Sequence, residues 1–478
     1  MSLTDLSPPA HPRFATLEQL TGALARRQIS PVELAQQTLD LIETLNPAYN
    51  CFAALEPERV LAEARAVEQA IMQGGQVGPL SGLPIAIKDL IAAKGYPTQF
   101  GSRIMANNVI PEDAPAVERL RKAGAVILGK STTSEFGCKA VGDSPLTGIT
   151  RNPWNTETTP GGSSCGAAAL VASGISPVAV GTDGGGSVRI PSALSGLFGI
   201  KGQFGRVPVY PTSATPTLAH VGPLTRTVRD AAIMMSIMSG FDRRDPFSVA
   251  GPVPDYLGAC ERPYGRLRIA WSPTMGYAEP LPEVLEICAR AVDAFAQLGC
   301  QVEEVDRVID RDPVDLWVAE FYAGVGTKLK APLAERREEI DPAVAEVLDA
   351  AVGQQMGDYY SRVFDRYAFR DQMRRFFEPI DLLITPCVPV PAFAAGADRP
   401  PTHPHRSIVS WVYYTYPFNL TGQPAASIPV GFTAEGLPVG LQLVAKSHDE
   451  TTIFTAAAAL EEALPWAVTR PPEPRGSA

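Results

Sequence analysis

The 478-residue chain is predicted to be an α/β protein, built on a large mixed, mostly parallel β-sheet covered by helices on both faces. Two observations carry this. Short runs such as 84–87, 125–128 and 177–180 are apolar throughout, as strands buried on both faces are. Between them lie longer stretches with apolar residues at helical spacing. The length fits one large unit, so residues 1–470 are expected to form a single domain, with a core at about 80–230 and a variable substrate-pocket region at about 245–420. Residues 471–478, rich in proline, are expected to be a flexible tail.

Taken in order, residues 16–45 read as two amphipathic helices, with Ser30 as N-cap and Pro31 at the first position of the second. Residues 53–73, rich in alanine and glutamate, read as a helix before the strand that ends at Lys88. A helix at 113–123 and a strand at 125–128 follow, then a small-residue helix at 167–173 and a buried strand at 177–180. A proline-rich break at 242–256 ends the first half. The second half reads as a strand at 267–271 and helices at 282–298, 315–329 and 341–377. Strand segments at 382–385, 427–430 and 440–444 then lead to a closing helix at 451–464.

Composition narrows the function. Lys+Arg 41 against Asp+Glu 51 gives a net charge of −10, the wrong balance for a nucleic-acid backbone. Seven cysteines without C-x-x-C spacing argue against a zinc site or a disulfide framework and suit a reducing cytoplasm. The first residues, Met1 to Asp5, lack the basic and apolar regions of a signal peptide. No segment approaches the roughly 20 apolar residues that span a bilayer. The expected location is therefore cytoplasmic, with no membrane and no nucleic acid as partner.

The chemistry concentrates between Ser163 and Ser187, 24 residues apart, each in a Gly-Ser-rich loop. Gly184, Gly185 and Gly186 precede Ser187, and glycines there let backbone N–H groups face one concavity, as an oxyanion hole requires. Serine is a weak nucleophile until a base takes its proton. None of the five histidines lies in this window, and no Gly-x-Ser-x-Gly elbow is present. Lys88 ends an apolar, strand-like run, where lost solvation would lower its pKa and let it act as a neutral base. A lone lysine is more often a surface cation, so this residue gains meaning only in company.

That company is present. Gly82-Leu83-Pro84 through Asp89, Gly129-Lys130-Ser131-Thr132 with Glu135-Phe136-Gly137, Arg151-Asn152-Pro153-Trp154 and Gly161 through Arg189 occur in one order. They continue with His220-Val221-Gly222-Pro223, Asn419-Leu420-Thr421-Gly422 and Gly436 through Gln442. Over nearly its whole length the chain resembles the amidase signature family and its Ser–cis-Ser–Lys triad. The resemblance implies the amidase signature fold. It makes Ser187 the acyl-enzyme nucleophile, Ser163 the bridging serine after a cis bond from Gly162, and Lys88 the neutral base. Gly184, Gly185, Gly186 and Ser187 would supply the oxyanion hole. Asp183 and Arg189 read as an ion pair bracing the loop, with Ser164 and Thr182 as supporting hydrogen bonders.

Two positions depart from the family pattern. Cys165 stands where glycine is usual and reads as a small buried thiol. Lys201-Gly202-Gln203 stands where Lys-Pro-Thr is commoner and is expected to reshape the neighbouring loop without removing a catalytic group. The implied activity is hydrolysis of a small aryl or alkyl amide, with carbamates and esters within reach of the same route. The alternative is the glutaminase component of a tRNA-dependent amidotransferase, but Leu218-Ala219-His220 lacks the Asp-Gln usual there. A phosphate-binding loop fails for want of Gly-Lys-Ser/Thr after the glycines. Three segments are candidates to line the pocket: 210–213, 317–322, and the aromatic cluster at 411–416. Tyr210, Trp411 and Tyr414 are singled out. No metal or cofactor is expected, and the enzyme should be a monomer or homodimer.

Overall fold

The structure, a computed structural model, describes residues 13–75 and 78–474. The expectations for Met1 to Asp5 and for 475–478 lie outside the described residues. Thirteen strands are present among them: β1 (Phe52–Ala54), β2 (Pro84–Lys88), β3 (Val126–Ser131), β4 (Asp143–Ser144), β5 (Gly148–Ile149), β6 (Val178–Asp183), β7 (Phe198–Lys201), β8 (His220–Thr225), β9 (Arg268–Trp271), β10 (Gln301–Glu304), β11 (Leu382–Pro386), β12 (Ala425–Phe432) and β13 (Pro438–Ala445). β4 and β5 form a small hairpin, and the other eleven make one sheet in the order β1-β3-β2-β6-β8-β7-β12-β13-β11-β9-β10.

The sheet is mixed, as expected, but not mostly parallel. Six of its ten ladders are antiparallel and four are parallel. Apolar composition reports burial on both faces rather than strand direction. β8 and β13 are buried at every position and still pair antiparallel.

Strand alternation shows directly how both faces are covered. In β2, Ile85 and Ile87 enter one core cluster while Ala86 enters another. In β6, Val178 and Val180 join the first cluster and Ala179 the second. The first cluster is closed by Met234 and Met235 of the helix Val228–Met238 and by Ile453 and Phe454 of the helix Glu450–Ala463. The second is closed by Leu39 and Ile42 of the helix Pro31–Tyr49 and by the helix Cys165–Ala172. A third cluster, holding Ala270 and Leu383, covers the far end of the sheet with the helix Val314–Lys328. Each fully buried aliphatic side chain contributes about 1.5–3 kcal/mol.

Local signals hold where they have a mechanism. Ser30 caps its helix: its Oγ accepts from Glu33 N at 3.1 Å, and its own N–H donates to Glu33 Oε2 at 2.8 Å. The helix Cys165–Ala172 is buried at every position, and a Cβ on Gly166 would lie 2.4 Å from the Cys51 carbonyl oxygen. Small residues are thus what lets this helix touch its neighbours.

Element ends shift by a few residues throughout, and three differences stand out. The 53–73 helix is a strand (β1) followed by Pro57–Met72, because Pro57 opens the helix at its first turn. The 341–377 helix divides into Pro342–Val352 and Met356–Phe376 around Gly353. The tail is not free over 471–474: Pro471 and Pro474 are buried, and Glu473 pairs with Arg13 at 2.6 Å.

Candidate active site

β2 and β6 run parallel as neighbours, with Ile87 beside Val180, so their C-terminal ends bring Lys88 and Thr182 together. Lys88 Nζ donates to Thr182 Oγ1 at 2.9 Å and to Ser163 Oγ at 2.7 Å. Ser163 follows Gly162 through a cis peptide bond. Glycine is required at 162, because a Cβ there would lie 2.2 Å from the Val141 carbonyl oxygen. Lys88 is completely buried, and burial lowers its pKa from 10.5 to about 7, against the raising effect of Cys165 and Asp183. Ser187, half-buried, faces the same cavity as Ser163 and Thr182.

The loop carrying Ser187 is held from beneath. Arg189 Nε and Nη2 donate to the two carboxylate oxygens of Asp183, each at 2.9 Å, with both side chains fully buried. Asp183 also accepts from Gly186 N at 2.8 Å and Asn419 Nδ2 at 2.8 Å. Burial raises the Asp183 pKa, but Arg189, Lys201 and Asn419 outweigh it and hold the carboxyl well below the usual range. Arg189 reaches further, donating to Gln442 Oε1 at 2.7 Å, Asn419 Oδ1 at 2.7 Å and Thr415 O at 2.9 Å. The predicted ion pair is thus the hub of a buried network.

The oxyanion loop needs one correction. The N–H of Gly186 is taken by Asp183, so it does not point into the cavity as a free donor. Among the described residues no hydrogen bond occupies the N–H of Gly184, Gly185 or Ser187. The carbonyls of Gly184 and Gly185 face away from this role, accepting from Trp317 Nε1 at 2.8 Å and Thr415 Oγ1 at 2.6 Å. Ser164 supports the same loop: its Oγ donates to Thr182 O at 3.3 Å and its N–H to Ser187 O at 3.3 Å.

Cys165 is a buried thiol whose Sγ donates to Thr132 Oγ1 at 3.6 Å, and burial raises its pKa. It does not line the cavity. Lys201 is buried with its Nζ on the Gln423 carbonyl and 3.3 Å from His220 Nε2, and burial drives its pKa well down. The His220 ring lies in the cavity wall.

The cavity holds about 480 Å³. Tyr210 lines it, just before a cis Tyr210–Pro211 bond. Trp411 and Tyr414 do not. Both are fully buried in the core, Trp411 edge-on to Phe393 at 5.4 Å and Tyr414 with its hydroxyl on Pro273 O. Aromatic clustering there reflects packing behind the site. Phe321, from the candidate segment 317–322, does line the cavity, and the other aromatic walls come from Phe100 and Phe136. Phe136 lies inside a motif noted above, and Phe100 and Phe136 both have positive φ, 56° and 50°, which composition does not reveal.

Among the described residues, Asp143, Asp341 and Asp398 are close enough to share a cation, but Lys139 Nζ already sits among them at 2.5, 2.7 and 2.8 Å. The ammonium takes the place a metal would have. No helix among the described residues is long and apolar enough to cross a membrane.

The sequence matches the Amidase family over residues 33–454. It is 34% identical over 464 residues to an acylamidase of Rhodococcus erythropolis, covering 95% of this chain and 96% of that one. It is 37% identical over 486 residues to a component of the glutamyl-tRNA(Gln) amidotransferase of Methylococcus capsulatus, covering 95% and 98%. Among solved structures it resembles a bacterial aryl acylamidase of the amidase signature enzymes, with a TM-score of 0.90 and 31% identity over 95% of this chain and 97% of that one.

Proposed function

The chain belongs to the amidase family, and from that premise we propose that it hydrolyses small apolar amides, aryl or alkyl, through an acyl-enzyme on Ser187. The observation that carries the reading is Lys88: fully buried, with its pKa lowered to about 7 and its amine 2.7 Å from Ser163 Oγ. A neutral amine there keeps an N–H on Thr182 while its lone pair takes the Ser163 proton. Ser163 in turn takes the proton of Ser187, whose oxygen attacks the amide carbonyl. The free N–H groups of Gly184, Gly185 and Ser187 receive the developing oxyanion. Collapse expels the amine, which regains a proton through Ser163, and water then releases the acid by the reverse relay. Because the leaving group need not be an amine, esters and carbamates are within the same chemistry.

The glutaminase reading, favoured by the amidotransferase relative, meets an obstacle in the cavity. Glutamine brings an ammonium at its α-carbon, and no Asp or Glu is among the described residues lining this cavity to receive it. Apolar substrates fit better, with Tyr210, Phe321 and Phe136 as ring-stacking walls. The absence of paired cysteine motifs supports a cytoplasmic setting.

The test is turnover of acetanilides, aliphatic amides, carbamates and glutamine by the chain alone. Anilides or simple amides should turn over faster than glutamine, with no partner protein or ATP. A fluorophosphonate should label Ser187, and Ser187→Ala should lower turnover by several decades. Labelling of Cys165 in its place, or glutaminase activity that needs a partner and tRNA, would reject the reading.

A further inference from the structure

The cavity is not apolar all round. Lys328, at the C-terminal end of the helix Val314–Lys328, lines it and donates across to Thr212 O at 2.9 Å. It is the only lysine, arginine, aspartate or glutamate among the lining residues, and it is exposed. Beside it Thr212, Ser213 and Thr215 add hydroxyls, with Ser213 Oγ and Thr215 Oγ1 3.2 Å apart. The rest of the wall is dominated by residues such as Leu90, Met105, Ile110 and Val325. One edge therefore presents an ammonium and hydroxyl donors, with no acid in the lining to receive them.

We propose that this edge recognises an anionic group on the substrate, a carboxylate carried several bonds from the scissile amide. The substrate class becomes apolar amides with a distal carboxylate, a reading that rests on hydrolysis at Ser187. Only one of the three ammonium hydrogens is committed to Thr212, so two remain for a ligand. A lysine is a point charge without the planar demand of arginine, so the carboxylate can arrive on either the acyl or the amine side. Lys328 is open to solvent, so screening limits the gain to about fivefold in kcat/KM. Rising salt shrinks that gain. Lysine in a last helical turn also offsets the carbonyl end of the helix dipole. That role is blind to the substrate, so a ratio between substrates separates the two.

The experiment compares matched pairs on wild type, Lys328→Met and Lys328→Arg. Acetanilide against 4-acetamidobenzoate places the carboxylate on the amine side, and butyranilide against succinanilate places it on the acyl side. In at least one pair the carboxylated-to-neutral ratio of kcat/KM should be about fivefold higher in wild type than in Lys328→Met, mainly through KM. Lys328→Arg should retain the preference, and added salt should reduce it. Equal ratios in wild type and Lys328→Met for both pairs would overturn the proposal while leaving amide hydrolysis intact. If no amide turned over, anilide or aliphatic, neutral or carboxylated, hydrolysis at Ser187 would fail, and this proposal with it.

Discussion

Replacing Lys88 by methionine removes the base and, with it, a titration that the folded chain alone has displaced. The unfolded chain holds the Lys88 proton up to its ordinary pKa of about 10.4, whereas the folded chain releases it near 7. Between those values the unfolded state binds more protons, so wild-type stability rises with pH. The penalty for burying Lys88 is complete below about pH 7 and absent above about pH 10.5, amounting to on the order of 5 kcal/mol. Lys88→Met loses the hydrogen bonds to Ser163 and Thr182, about 1 kcal/mol each, but that loss does not depend on pH. The stability difference between the two proteins should therefore shift by on the order of 4 kcal/mol between about pH 7 and about pH 10. Urea unfolding of both proteins across that range measures it. In parallel, wild-type kcat/KM should fall on an acid limb near pH 7, and neither Lys88→Met nor Lys88→Arg should restore turnover. A stability difference flat with pH would mean that Lys88 keeps its proton when folded, and the proton relay would be refuted.

Arg189→Lys should destabilise the protein by about 3–5 kcal/mol, because one ammonium cannot satisfy Asp183, Asn419, Thr415 and Gln442 at once; a thermal midpoint unchanged from wild type would contradict this. Trp411→Ala should cost about 3–5 kcal/mol of stability, since the ring is fully buried, while activity per folded molecule is kept. Tyr210→Ala should do the reverse, lowering kcat/KM for aryl amides by about tenfold with little change in unfolding. Denaturation and steady-state kinetics on both variants separate the packing role from the binding one.

What was legible in the sequence follows from what each residue needs locally. The loop of Gly162 and Ser163, the glycines before Ser187 and the lysine ending β2 are short-range patterns; Ser163 and Ser187 line one cavity, and Lys88 is buried behind it on Ser163. The Ser30 cap was readable for the same reason. Strand direction was not: β8 and β13 are as apolar as parallel strands because both their faces are covered. The pocket wall was legible only in part: Tyr210 and Phe321, from the candidate segments 210–213 and 317–322, line it. Trp411 and Tyr414 look like a binding cluster until tertiary packing buries them, whereas Phe100 and Phe136 reach the cavity from segments without an aromatic cluster. The engagement of Gly186 N–H by Asp183 likewise depends on a side-chain orientation that spacing does not report.

The Arg189 network also bears on when the protein acquires its reactivity during synthesis. Arg189 is two residues from Ser187, yet its acceptors at Thr415, Asn419 and Gln442 lie 226, 230 and 253 residues further on. When a ribosome has just emitted the nucleophile, nothing yet exists to seat the guanidinium that holds Asp183, and Asp183 in turn holds the N–H of Gly186. A nascent or truncated chain therefore carries an unarmed serine, and hydrolytic competence arrives only with the last strands of the sheet. Fragments ending before residue 410 should take up no serine-directed label, whereas adding the missing C-terminal piece in trans should arm them.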